Sequence, residues 1–231
     1  MLVLAVDTAT PAVTSGLVRL GDGTPQNLET LSVRVSDNPR GHAEILTPQI
    51  LECLAEAGCE SADLDAVVVG VGPGPFTGLR VGMATAAAFG DALGIPVYGV
   101  CTLDALAADV FAADVTAADV FAADENGADL LVITDARRRE VYWARYAGGR
   151  RVEGPEVRKP AEVTAAPSQR VAGSPAHTPL FDLPAVPVHT PSPAGLVAVA
   201  APELLAATAP QPLVPLYLRR PDAVETAARK K

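Results

Sequence analysis

The pattern of hydrophobic and polar positions opens the chain with a run of strands. The residues LVLAV form an apolar run that ends at Asp7, and alternating segments follow at 14–20 and 29–35. Short apolar or alternating segments separated by polar and glycine-rich turns are typical of strands. The pattern therefore predicts a strand, an aspartate-bearing turn and two further strands, which together form a meander that opens a sheet.

A helical period replaces the strand pattern after the meander. Residues 41–57 carry Leu46, Ile50 and Leu54 at a spacing of four, with polar residues elsewhere around the helix. This spacing is typical of an amphipathic helix that covers a sheet with one face. Pro48 either delays the start of this helix or kinks it.

The next predicted helix, over residues 78–93, is apolar nearly all round. It follows a buried strand at 66–71, and two stripes of mostly small residues run along opposite sides of it. The stripes contain Gly78, Gly82, Ala86 and Gly90 on one side and Val81, Ala84, Ala88 and Ala92 on the other. A helix of this kind must be covered nearly all round. Its own sheet covers one side, and either the preceding helix or a partner protein must cover the other.

The second half of the chain begins like the first. The segment LLVITDARRREVYWARY repeats the apolar run and places Asp135 where Asp7 stands in the opening. We therefore predict a duplicated α/β architecture with a first lobe over 1–104 and a second lobe over 105–231. The second lobe begins with a tandem repeat of AADVFAAD over 107–125, interpreted as a solvated acidic insert. Its later part is proline-rich and contains one clear helix near 194–207.

Composition narrows the classes of function. The 231 residues include 18 basic and 27 acidic ones, a net charge of −9, which argues against a general nucleic-acid surface. The basic cluster Arg137, Arg138 and Arg139 remains able to touch RNA, or is a solvated loop. Three cysteines without CxxC spacing, no leader and no apolar run of about 20 residues lead us to expect a reduced, cytoplasmic protein without membrane contact.

The segment GVGPGPFTGLRVG at 70–82 has the strand, turn and helix arrangement of a phosphate-binding loop. It matches neither GxGxxG, because Thr77 takes the third glycine position, nor a P-loop, because Leu79 stands where the lysine belongs. Two interpretations stay open. Helix N-terminal N–H groups make weak anion binding physically possible, or Pro73 and Pro75 only stiffen a tight turn.

Four segments together resemble the TsaB (YeaZ) family. They are LVLAVDTAT, the central DLDAVVVGVGPGPFTGLRVGMATAAAFGDALGIPVYGVCTLDALA, the later DARRREVYWARY and YLRRPD. The resemblance implies a two-lobed actin-like, sugar-kinase-like (ASKHA) fold. It also implies a role in making threonylcarbamoyladenosine beside the anticodon of tRNAs that read codons beginning with A. In that family the protein is a non-catalytic relative of the transferase subunit TsaD, pairs with it through first-lobe helices, and is joined by TsaE, an ATPase. Alone it is expected to form a homodimer, and tRNA is reached through the complex.

The resemblance and the residues together define two sets of site residues and no catalytic residue. The expected partner interface comprises His42, Leu46, Ile50, Leu54, Gly78, Gly82, Met83, Ala86 and Gly90. The expected nucleotide site comprises Asp7, Thr8, Gly74 and Thr77.

Asp7 stands where actin-like proteins face phosphates and magnesium, although Asp7 and Asp135 fit hydrogen bonds to their own turns equally well. The chain itself is expected to need no cofactor, with ATP or ADP and Mg²⁺ entering at the level of the complex.

Two enzymatic alternatives remain. The first is an ATPase or kinase that uses Asp7 and the 72–78 loop. The second is a metallopeptidase, which the sequence opposes because the catalytic relatives carry HxxxH where this chain has His42 followed by Leu46. A single imidazole is a poor anchor for a transition metal, so no metal site is predicted.

Overall fold

The computed structural model describes residues 1–21, 27–37, 41–118 and 130–219, with the backbone alone over 115–118. The strands and helices predicted from the sequence occur in the predicted order, and two further strands occur at 150–158 and 170–173. The strands are β1 Leu2–Asp7, β2 Val13–Leu20, β3 Leu28–Ser36, β4 Ala66–Gly70, β5 Val97–Val100, β6 Leu130–Asp135, β7 Val141–Ala147, β8 Arg150–Arg158 and β9 Arg170–Gly173. The helices are α1 His42–Ala57, α2 Phe76–Leu93, α3 Thr102–Ala118 and α4 Pro193–Leu205.

The two sheets have the same internal order. In the described residues, the first sheet runs β3-β2-β1-β4-β5 and the second runs β8-β7-β6-β9. In each, the opening strand pairs antiparallel with the strand that follows it and parallel with a strand reached by a crossover. The predicted two-lobed α/β fold with a duplicated meander is therefore confirmed.

The aspartate at the end of each opening strand plays the same local part in both lobes. The Oδ1 atom of Asp7 accepts a hydrogen bond from the Ala9 backbone N–H at 2.9 Å. The Oδ1 atom of Asp135 accepts one from the Arg137 backbone N–H at 2.7 Å. A carboxylate that bonds the N–H two residues ahead closes a tight turn. Both aspartates therefore bond their own turns, one of the two interpretations that the sequence left open.

Helices α1 and α2 cover one face of the first sheet. Leu46 and Ile50 of α1 and Leu79 of α2 are fully buried against apolar residues of β1, β2 and β4. Helix α1 begins at His42, so Pro48 lies within the helix and does not delay its start. The predicted amphipathic face of α1 is therefore the face that packs on the sheet.

Helix α4 covers the opposite face of the first sheet. Five of its residues are buried against side chains of β1, β2, β4 and β5, namely Leu196, Val197, Ala200, Ala201 and Leu204. Residues 105–231 therefore do not all belong to the second lobe, which corrects the predicted division. The physical reason is that α1 and α2 protect only one face of the first sheet, and the other face needs an apolar cover.

Helix α3 packs on the second sheet and connects it to α4. Leu103, Leu106 and Val110 are buried against residues of β6 and β7. The carboxylate of Asp109 accepts hydrogen bonds from the N–H and the hydroxyl of Ser192, at the start of α4. The first copy of the AADVFAAD repeat is thus part of a packed helix, not a solvated insert, while most of the second copy lies outside the described residues.

Candidate functional site

The glycine- and proline-rich loop between β4 and α2 packs directly on the turn that follows β1. Gly72 has a φ of 97°, a left-handed conformation that glycine adopts without steric cost. A Cβ atom on Gly74 would overlap the Ala9 carbonyl oxygen, so the two turns touch through their backbones. The loop also accepts a hydrogen bond from the Thr102 N–H at the Gly72 carbonyl, 2.8 Å away.

Asp7 lies beneath this loop with 0% of its surface exposed. Its Oδ2 atom accepts a hydrogen bond from the Thr102 hydroxyl at 2.6 Å, and a Cβ atom on Gly70 would overlap the same oxygen. Burial raises the pKa of Asp7 from 3.8 to about 6, although the hydrogen bonds from Thr102 and Ala9 oppose the rise. The carboxylate therefore serves internal contacts and has no surface available to a ligand.

Thr8 is equally committed to the fold. Its hydroxyl donates to the Gly78 carbonyl at 2.7 Å and accepts from the Gly82 N–H at 3.0 Å, which ties the turn after β1 to the first turns of α2. Of the four residues predicted to bind nucleotide, Asp7, Thr8 and Gly74 are buried and Thr77 is exposed. The structure brings the four together but uses the three buried ones for contacts within the chain.

The small-residue stripe of α2 faces inward. A Cβ atom on Gly82 would overlap the Thr8 hydroxyl, and one on Gly90 would overlap a methyl group of Val97. A Cβ atom on Gly78 would lie 2.7 Å from the Thr8 carbonyl oxygen, closer than real Cβ atoms approach. The stripe thus allows α2 to approach the β1–β2 turn and β5.

Eight of the nine predicted interface residues are consequently covered by the chain itself. They are Leu46, Ile50, Leu54, Gly78, Gly82, Met83, Ala86 and Gly90, all buried. The small-residue stripe, expected to belong to the partner interface, is thus occupied by contacts within the chain. A partner role for α2 stays a prediction, and the face available for it is the opposite one.

The outer face of α2 is exposed and carries several small apolar residues. Its exposed positions are Phe76, Thr77, Arg80, Ala84, Ala87, Ala88, Asp91 and Ala92. At the start of the helix, Phe76 stacks on Tyr217 with ring centroids 5.2 Å apart. The Arg80 guanidinium lies 3.8 Å from the centre of the Phe76 ring, and its Nε donates to the Tyr217 hydroxyl at 2.6 Å. These contacts attach residues near 217 to the outer face of α2.

A cleft of about 260 Å³ lies where α1, α2 and the second lobe meet. It is lined by Thr8, Thr10, Pro11, His42, Ala43, Pro75, Phe76, Thr77, Gly78, Val81 and Arg137. Helices α1 and α2 both begin here, and neither has a side-chain N-cap. Helix N-termini carry partial positive charge, and no acidic side chain lines the cleft among the described residues. The described lining of the cleft is therefore electropositive.

Two predicted interface residues, Gly78 and His42, border this cleft, and the one with a polar side chain is His42. Its Nε2 atom is buried without a hydrogen-bond partner in the described part of the chain, and it lies 3.5 Å from the position of a Cβ atom on Gly78. The HxxxH partner position holds Leu46, which is fully buried in the core. No group of three or more metal-binding side chains occurs among the described residues.

The cleft is bordered on the second-lobe side by a turn with unusual backbone conformation. Arg137, Arg138 and Arg139 have φ values of 61°, 52° and 62°, and all three are exposed. The basic cluster is evident in the sequence, but its left-handed backbone is not, because arginine has no preference for that conformation. Separately, none of the helices in the described ranges is long and apolar enough to cross a bilayer.

A family model matches most of the chain. Residues 36–223 match the model described as TsaD, tRNA N6-adenosine threonylcarbamoyltransferase. A protein of Mycobacterium tuberculosis is 56% identical over 221 residues, which cover 96% of this chain and 93% of that protein. The tRNA threonylcarbamoyladenosine biosynthesis protein TsaB of Escherichia coli is 33% identical over 147 residues, which cover 63% of this chain and 55% of that protein.

Two solved structures from Pseudomonas aeruginosa share the fold over nearly their full lengths. One, described as similar to the peptidase YeaZ, has a TM-score of 0.69 at 28% identity and covers 94% of this chain and 99% of its own. The other, YeaZ, has a TM-score of 0.71 at 24% identity and covers 94% of this chain and 100% of its own. With the family model, the relatives and the duplicated sheets in agreement, the chain belongs to the TsaB (YeaZ) family.

Proposed function

We propose that this protein is a non-catalytic subunit that pairs with TsaD in the threonylcarbamoylation of tRNA. The modified base is the adenosine beside the anticodon of tRNAs that read codons beginning with A. Membership of the TsaB family supports this pathway, as does the Escherichia coli relative, which is a tRNA threonylcarbamoyladenosine biosynthesis protein. TsaE, ATP or ADP, and Mg²⁺ then belong to the assembled complex, and the free chain is proposed to pair with a second copy.

The composition of the outer face of α2 is the observation that supports this face as the pairing surface. Ala84, Ala87, Ala88 and Ala92 are exposed there, and Asp91 is a neighbouring charge. Small side chains allow another helix to approach closely, and burying them costs little side-chain entropy. A helix face that stays in contact with water is usually polar. The alanine-rich outer face of α2 is not, so its composition favours an interface.

The same geometry favours a scaffold over an enzyme. The Asp7 carboxylate hydrogen-bonds to Ala9 and Thr102. The Thr8 hydroxyl hydrogen-bonds to Gly78 and Gly82. A kinase or ATPase that used Asp7 would have to move the loop over 72–75, which packs on the backbone of the turn after β1. The protein is therefore proposed to act by holding TsaD and not by chemistry of its own.

The test is size-exclusion chromatography with light scattering, using the protein alone and mixed with TsaD of the same organism. Ala88→Glu places a carboxylate on the proposed interface, where burial without a partner costs about 3 kcal/mol, or about 100-fold in affinity. Wild type is expected to form a one-to-one complex that Ala88→Glu abolishes or strongly weakens. Gly82→Glu is unsuitable because Gly82 packs against Thr8 inside the fold.

Ala112→Glu is the matched control, because Ala112 is an exposed alanine on α3. It adds the same charge on a helix away from the proposed surface, and the complex is expected to form normally. If Ala88→Glu binds TsaD as tightly as wild type does, the outer face of α2 is not the pairing surface. If wild type does not bind TsaD at all, the scaffold role fails.

A further inference from the structure

The turn between β6 and β7 presents Arg137, Arg138 and Arg139 together at its tip, all exposed. We propose that this arginine turn, defined by these three residues, binds the backbone phosphates of the tRNA substrate. The proposal rests on the proposed function, because it names how this subunit touches the RNA that the complex modifies. Guanidinium groups bind phosphate oxygens through charge-assisted, often bidentate hydrogen bonds.

The backbone conformation of the turn does not require arginine, which indicates that the arginine side chains have a role of their own. All three residues have positive φ values, where a Cβ atom crowds the backbone. Glycine or asparagine would adopt this conformation with less strain. Non-glycine residues held in such conformations cluster at functional sites. What arginine adds to a turn of this shape is charge and hydrogen-bond donors.

The turn is fixed at both ends. Asp135 accepts a hydrogen bond from the Arg137 N–H at 2.7 Å, and the Glu140 N–H donates to the Arg137 carbonyl at 3.0 Å. Arg219 donates to the Ala136 carbonyl at 2.9 Å and pairs with Glu140. A rigid turn loses little entropy when it binds, which favours affinity.

Among the described residues, the turn and its flanks carry more positive than negative charge and form a positive region. The carboxylates of Asp135, at the end of β6, and Glu140, just before β7, pair with Arg137 and Arg219 respectively. The Arg137 side chain remains 61% exposed, and a guanidinium has more donors than one carboxylate uses. On the first-lobe side, the turn adjoins the cleft into which α1 and α2 direct their N-termini.

This positive region stands out because the chain has a net charge of −9. A protein with net negative charge repels nucleic acid in general, so a cationic turn on its surface would orient the RNA without binding it indiscriminately. The arrangement fits a short stretch of sugar-phosphate backbone, with TsaD supplying the remaining contacts. The partner chemistry inferred from the turn is therefore an RNA backbone.

The experiment compares tRNA binding by wild type and by the variant Arg137→Asn, Arg138→Asn, Arg139→Asn. Asparagine removes the charge and tolerates a left-handed backbone, so the melting temperature is expected to stay at or above that of wild type. The matched control is Arg19→Gln, Arg150→Gln, Arg158→Gln, which removes three exposed arginines from β2 and β8. Binding is measured at several salt concentrations, for the chain alone and in complex with TsaD.

The arginine-turn variant is expected to bind tRNA about 10-fold or more weakly at ~0.1 M salt. Its plot of log affinity against log salt should be shallower by about two to three, because each lost phosphate contact removes about 0.7 to 0.9 from the slope. The control should change affinity by less than about threefold and keep the slope, since its charges lie away from the proposed contact.

Three results would overturn the proposal. In the first, the arginine-turn variant binds tRNA as tightly as the control variant does. In the second, wild type binds no tRNA, either alone or in complex with TsaD. In the third, the three substitutions weaken ADP binding as much as they weaken tRNA binding. The last result would assign the turn to a free nucleotide. Assembly with TsaD is measured separately by chromatography. If the variant assembles normally and its tRNA binding is unaltered, the phosphate contact is refuted but the proposed function is not.

Discussion

Replacement of Asp7 by asparagine should change how the stability of the protein depends on pH. Asp7 is fully buried, and burial raises its pKa from 3.8 to about 6. Asparagine has nearly the same size and retains an oxygen that accepts the hydrogen bond from the Ala9 N–H. The variant therefore removes the ionisation and keeps much of the local geometry.

The sign and the size follow from the two pKa values. Below pH 3.8 the carboxyl is protonated in both the folded and the unfolded chain, so its favourable contribution is fully present. As the pH rises from 3.8 to about 6, the unfolded chain ionises more readily than the folded one, and this contribution is lost. At about 1.4 kcal/mol per pKa unit, the loss is about 3 kcal/mol.

The assay is urea unfolding of wild type, Asp7→Asn and the exposed-carboxylate control Asp91→Asn, at pH values from below 4 to above 6. The free energy of unfolding of wild type should fall by about 3 kcal/mol relative to Asp7→Asn across this range. Asp91→Asn should follow wild type, because Asp91 is exposed on α2. Parallel curves for wild type and Asp7→Asn would show that the Asp7 carboxylate is solvated, and would refute the burial argument.

Two further substitutions test the internal packing. Gly82→Ala should lower the free energy of unfolding by about 1–3 kcal/mol, because the new methyl group overlaps the Thr8 hydroxyl, whereas Gly→Ala in an open helix is stabilising. Urea unfolding decides the sign, and a gain in stability would contradict the inward orientation of the stripe. Asp109→Ala should cost about 1–2 kcal/mol because Ser192 loses both of its bonds to that carboxylate. Unchanged stability by thermal unfolding would show that α3 and α4 are held together by apolar contacts alone.

The duplicated fold was predictable because its signal is local. The segments ending at Asp7 and Asp135 repeat an apolar run, an aspartate and an outgoing strand, and this pattern is enough to identify the opening of each sheet. The helical spacing of Leu46, Ile50 and Leu54 similarly identified α1 and the face that it buries. In each case the spacing of the apolar residues along the sequence shows directly which side of the strand or helix packs against the core.

The orientation of α2 was not predictable, because its cause lies far along the chain. The spacing of Gly78, Gly82 and Gly90 shows a narrow stripe, but it does not show what fills it. Gly78 and Gly82 meet Thr8, at least 70 residues earlier in the chain, and Gly90 meets Val97. The sequence therefore predicted close packing along the stripe, but placed at a partner interface residues that the structure packs within the chain.

The place of α4 and the shape of the arginine turn were missed for similar reasons. An apolar helix fits either sheet, and only the bonds between Asp109 and Ser192 and the bare face of the first sheet decide between them. Arginine has no preference for positive φ, and the turn at 137–139 is held both by the local Asp135 bond and by Arg219, which lies 83 residues along the chain from its acceptor Ala136. Both features depend on contacts that no local period encodes.

The position of α4 has a consequence for synthesis on the ribosome. Val3 and Ala5 are synthesised well before the helix that covers them, residues 193–205. During translation the first sheet therefore has one apolar face without its cover, a state that favours aggregation or chaperone binding. A nascent chain stalled before residue 193 would carry both meanders and still lack a finished core, so the first lobe closes only when nearly all of the described chain has been made.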